Sequence, residues 1–104
     1  MATVLERIRG VAHKRILYLP HAVRQMATLD RLITVSEVRQ VVFEGELIED
    51  YPDDVRGHSC LLLGAPRQRA IHVVCSPKTE YLAIITAYIP DPSEWSPDFR
   101  RRVD

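Results

Sequence analysis

The sequence predicts an α+β domain: a small antiparallel sheet of four to five strands with helices packed on one face. Three observations carry this. Helical periodicity with paired capping signals is concentrated before residue 46. Four short strand-like runs follow, up to residue 89. The linkers between those runs are shorter than the roughly dozen residues a parallel crossover needs, so the runs form an antiparallel meander. With 104 residues, 46% of them hydrophobic, the chain fits one domain over residues 1–104. A domain of this size buries about two-thirds of its unfolded surface without staples.

Each element has its own warrant. Thr3 and Glu6 have capping-box spacing, and Val4, Leu5, Ile8, Val11 and Ala12 share one helical face, so residues 4–13 read as a helix weakened by Gly10. Residues 15–19 (Arg-Ile-Leu-Tyr-Leu) form a short strand stopped by Pro20. That proline opens a helix over 20–29 whose apolar face is Ala22, Val23, Met26 and Leu29. Thr34 and Glu37 make a second capping box, Val35, Val38, Val41 and Val42 the stripe behind it, and Gly45 the stop. Strands follow at 46–51, 59–64, 70–76 and 81–89. From Pro90 to residue 104 runs an extended, proline-rich tail, pinned by Trp95 and Phe99.

The formal net charge is zero, but its layout is uneven. Residues 1–43 carry seven bases and three acids, residues 44–54 six acids and no base, and residues 55–79 four bases and no acid. Twelve of the fourteen bases are arginine, whose planar fork suits phosphate and carboxylate, although an ordinary mixed-charge surface accounts for the same layout. Cys60 and Cys75, with no CxxC pairing, fit a reducing compartment, and neither reads as catalytic. No apolar run is long enough to span a membrane, and Glu6, Arg7 and Arg9 break any signal-peptide core, so a cytoplasmic protein is expected. The four histidines and two cysteines lack the spacing of a zinc motif. Glu49, Asp50, Asp53 and Asp54 lack the loop pattern of a calcium site. No metal and no cofactor is therefore expected. Phosphate-loop, nucleophile-elbow and cysteine-protease patterns are absent as well.

Two constellations remain. His21 stands in the first turn of a helix, where the positive end of the dipole disfavours imidazolium, and Arg24 lies one turn on, placed to hold a phosphate. The competing reading has His21 bonding a backbone carbonyl and Arg24 pairing with an acid. In the last two strands, a register that puts His72 on one face with Thr86 and Tyr88 gathers the polar groups and leaves Ile71, Val73, Cys75, Ile85 and Ile89 to the core. A slip of one residue reverses this.

The run Ile16-Leu17-Tyr18-Leu19-Pro20-His21-Ala22-Val23-Arg24-Gln25-Met26, then Arg31-Leu32-Ile33-Thr34, resembles the bacterial domain of unknown function 4258 family. So does the ending, where Ile85-Thr86-Ala87-Tyr88 leads to Pro90-Asp91-Pro92 and Glu94-Trp95. The resemblance implies a fold similar to RelE, BrnT and MqsR toxins and a role as the toxin of a type II toxin-antitoxin pair. It implies a metal-independent endoribonuclease in which the RNA 2'-hydroxyl attacks the adjacent phosphate. The implied partners are RNA, at the ribosome or free, and a cognate antitoxin of small zinc-finger or helix-turn-helix type. Under that reading His21 or His72 is the base and Arg24 the charge stabiliser. Arg31, Lys78 and Thr86 then bind RNA, while Tyr88 is an acid or a stacking platform. The rival expectation is a non-catalytic domain that pairs with such a partner to regulate transcription.

Overall fold

A computed structural model describes residues 2–103. The order is α1 (Val4–Lys14), β1 (Ile16–Tyr18), α2 (Pro20–Met26), α3 (Val35–Glu44), β2 (Glu46–Tyr51), β3 (Ser59–Gly64), a 3-10 turn (Pro66–Gln68), β4 (Ile71–Pro77) and β5 (Leu82–Tyr88). Both capping boxes form. The Thr3 hydroxyl accepts from the Glu6 N–H at 3.1 Å while the Glu6 carboxylate accepts from the Thr3 N–H at 2.9 Å, and Thr34 and Glu37 repeat the exchange. Each box satisfies amide donors that a helix start leaves open.

The sheet runs β1-β5-β4-β3-β2. From β2 to β5 it is the expected meander, every consecutive pair antiparallel. β1 adds a fifth strand parallel to β5, Ile16 opposite Leu82, which the long intervening chain permits. The sheet is thus mixed and mostly antiparallel. One face meets the helices: Ile8 and Ala12 of α1, Ala22 and Met26 of α2, and Val38, Val41 and Val42 of α3 share a cluster with Cys60, Leu62, Ile71, Val73, Cys75, Leu82 and Ile84. Arg9 ties α1 to α3 by donating to the Val42 and Gly45 carbonyls at 3.1 and 2.7 Å. None of the described helices is long and apolar enough to cross a membrane.

Three expectations are corrected. α2 ends at Met26, not at residue 29, because the Thr28 hydroxyl donates to the Gln25 carbonyl and the chain folds back so that the Ile33 N–H reaches the Met26 carbonyl. Only Ala22 and Met26 of its apolar face are buried; Val23 and Leu29 are 52% and 88% exposed. Ile85 does not enter the helix-covered core. The register steps from Val74–Thr86 to Cys75–Ile84, and this bulge reverses the inward phase, so Ile84 is the buried residue. The stop at Gly45 is where the sequence places it, and the backbone there is extended, φ −77°. The residue is glycine because a Cβ there would lie 2.5 Å from the Val41 carbonyl oxygen and 2.6 Å from that of Leu63.

Candidate functional site

The helix-free face of the sheet is where the polar side chains gather. The register places His72 opposite Tyr88 and Val74 opposite Thr86, so His72, Thr86 and Tyr88 share this face. The tail then divides it. Trp95 is buried, its ring centroid 4.4 Å from that of His72 in edge contact, and Phe99 sits at φ +61° with its carbonyl turned onto the imidazole. His72 Nε2 donates to that carbonyl at 2.9 Å, and Tyr88 donates its hydroxyl proton to Nδ1 at 3.2 Å. A carbonyl can only accept, so the neutral ring carries its proton on Nε2. Burial holds the imidazole below its ordinary pKa and the half-buried Tyr88 above its own. His72 is fully buried: it anchors the tail and is shut off from any substrate.

Beyond the tail the same face opens into a concavity of about 520 Å³. His21, exposed at the start of α2, forms one wall and Thr86 of β5 lies beside it. Tyr51, Asp54, Arg56 and Ser59 come from the end of β2, its loop and the start of β3, and Arg102 from the tail. The two guanidinium groups are fixed by carboxylates. Arg56 donates to Asp54 through Nε at 3.3 Å and Nη2 at 3.1 Å; Asp54 also accepts from Ser59 at 2.7 Å. These bonds, those from Arg56 first, hold its carboxyl far below the usual range. Arg102 makes a fork onto Glu49 at 3.0 and 3.1 Å and lies over the Trp95 ring at 4.7 Å. Orientation is gained and net charge is largely cancelled.

The candidate residues thus separate. His21 and Thr86 meet at the concavity; Tyr88 and His72 lie together under the tail. Arg24 is exposed on α2 and is absent from the concavity wall. Arg31 pairs with Asp30 at 3.9 Å in the loop before α3 and lines a different depression with Arg69 and Pro90. Lys78 donates to the Arg56 carbonyl at 2.8 Å, so it props the β2–β3 loop from behind. Sequence reasoning missed Tyr51, Arg56 and Arg102. Strand alternation puts Tyr51 on the face of Ser59, its partner across the ladder, and the Asp54-x-Arg56 spacing marks a self-paired turn. Nothing local marks Arg102 among the three consecutive arginines of the tail. The acidic run from Glu49 to Asp54 is dispersed, Glu49 to Arg102, Asp50 to His58 and Asp54 to Arg56.

A second concavity, also about 520 Å³, lies between α2 and the start of α3, walled by Tyr18, Val23, Met26, Leu32, Ile33 and Val35. Among the described residues no charged side chain lines it, so it offers a surface for apolar contact.

The family model described as Domain of unknown function (DUF4258) matches residues 18–89. The chain belongs to this family. No curated protein and no solved structure matches it. The DUF4258 match includes His21, Tyr51, Arg56 and Thr86, whereas Arg102, which lines the concavity from the tail, lies beyond it.

Proposed function

We propose that this chain is the toxin of a type II toxin-antitoxin pair, of RelE-like kind, and that the concavity beside His21 is where it cleaves RNA without a metal. The observation that supports this reading most directly is the convergence of an exposed imidazole with two carboxylate-braced arginines on one open sheet face. His21 takes the proton from the RNA 2'-hydroxyl as that oxygen attacks the neighbouring phosphate. Arg56 and Arg102 hold the non-bridging oxygens as charge builds on phosphorus, and Tyr51 offers a stacking surface. The O5' leaving group departs with a proton from solvent or from the imidazolium, leaving a 2',3'-cyclic phosphate.

The test is expression in a bacterial host without a partner, followed by RNA cleavage with end-group analysis of the products. Growth arrest with cyclic-phosphate ends supports the reading, and a folded His21→Ala variant that cleaves at the parental rate defeats it. A second reading, a non-catalytic domain paired with a zinc-finger or helix-turn-helix partner, is favoured by the exposed apolar side chains Val23, Leu32 and Val35. It takes over if neither growth nor RNA is affected.

A further inference from the structure

On the opposite, helix-side edge of the sheet, three donor side chains converge that the linear spacing keeps apart. Asp50 of β2 stands directly across the ladder from Cys60 of β3. His58 lies two residues before Cys60, and an extended chain returns to the same face every second residue. The three donor atoms, a carboxylate oxygen of Asp50, an imidazole nitrogen of His58 and Cys60 Sγ, all lie within 4.8 Å of one another. The Cys60 thiol donates to Oδ1 at 3.3 Å and His58 Nε2 bonds the same oxygen. Behind them the Ser76 hydroxyl donates to the His58 carbonyl at 2.6 Å, fixing the main chain that carries the imidazole.

We propose that Asp50, His58 and Cys60 bind a borderline-soft divalent cation of the zinc class. One sulfur, one imidazole nitrogen and one carboxylate oxygen are the donor types such an ion selects. With metal–donor bonds near 2.0–2.3 Å, a tetrahedral ion sets its donors about 3.3–3.7 Å apart. The Sγ–Oδ1 separation already matches. The His58–Asp50 contact must open, and Asp50, with its side chain 42% exposed, is free to turn. Binding forms the metal–sulfur bond as the Cys60 thiol proton leaves for solvent. Thiolate and carboxylate then balance the two charges of the ion, and the fourth position is left to water. Occupancy clamps the β2 edge to the segment that runs from Asp54 and Arg56 into β3. The site stands independently of the RNA-cleavage reading.

Cobalt(II), a spectroscopic stand-in for zinc, tests this on the reduced full chain. The expected result is a thiolate-to-cobalt charge-transfer band that saturates at one equivalent, together with a rise in Tm on adding zinc. Cys75→Ser, which removes the neighbouring buried thiol, keeps the band, and Cys60→Ser abolishes it. Asp50→Asn and His58→Ala each weaken binding by at least the roughly 10–100-fold that loss of an outer-shell partner costs. Because Asp50 is exposed, Asp50→Asn carries the comparison if Cys60→Ser does not fold. No thiolate band in the parent protein, or an undiminished one in Cys60→Ser or Asp50→Asn, overturns the assignment.

Discussion

Burial disfavours the charged form of His72, and this makes the fold sensitive to acid. In the unfolded chain the ring takes a proton near its ordinary value of 6.5, whereas the folded ring resists it to lower pH. As pH falls from about 6.5 toward the depressed folded value, the unfolded state binds more protons and stability drops. Denaturation midpoints measured across that range should decline, and His72→Gln should flatten the slope. His21 and Met26 give the opposite pair of outcomes. Met26 is 7% exposed in the core, so Met26→Ala should cost about 2–5 kcal/mol. His21→Ala at an exposed position should stay within about 0.5 kcal/mol while, under the proposed reading, abolishing RNA cleavage. At this scale the sequence was partly legible. Alternation placed His72, Thr86 and Tyr88 on one face, but the burial of His72 depends on a tail contact to Phe99, 27 residues away, and no local pattern encodes that.

Among the elements, α1 and the tail make the cleanest predictions. A Cβ at Gly10 meets nothing within 4 Å, so Gly10→Ala should stabilise the protein by about 0.5–1 kcal/mol, read as a higher denaturation midpoint. Trp95→Ala should cost about 3–5 kcal/mol and expose the His72 ring to solvent, which shifts its NMR titration back toward the ordinary value. The starts of α1 and α3 were readable because a capping box is complete within four residues, and that of α2 because Pro20 opens it. The end of α2 was not, since the Thr28 and Ile33 bonds that stop it arise as the chain turns toward α3. The bulge at Ile85 escaped for a related reason: register is settled between strands, and the Ile84-Ile85 pair offers either phase an apolar residue. Glu37 is another such case. As part of a capping box it reads as a surface residue, yet it is 3% exposed. Arg69 reaches it at 2.9 and 3.2 Å while also bonding the Arg31 and Leu32 carbonyls.

For the whole molecule, the two faces of the sheet have separate duties. Helices seal one to make the core, and the tail covers only part of the other, leaving His21, Arg56 and Arg102 around open space. Under the proposed RNA-cleavage reading, Arg56→Ala should lower cleavage roughly 100-fold by removing a donor from the developing phosphate charge, with thermal unfolding used to confirm that the variant is folded.

The parallel pairing of Ile16 with Leu82 also dictates the order in which this protein can be built on the ribosome. β1 emerges early, but the strand it must join comes last in the sheet. At synthesis rates of about 5–20 residues per second, β1 waits several seconds with its hydrogen-bonding groups unpaired. The meander from β2 to β5 closes through short, fast loops, so it forms first and offers β5 as a template onto which β1 docks across a long, slowly closed loop. A nascent chain arrested before Leu82 therefore lacks the edge that secures α1 and β1. Its amino-terminal segment should be cut by protease in stalled complexes and become resistant once β5 has cleared the exit tunnel.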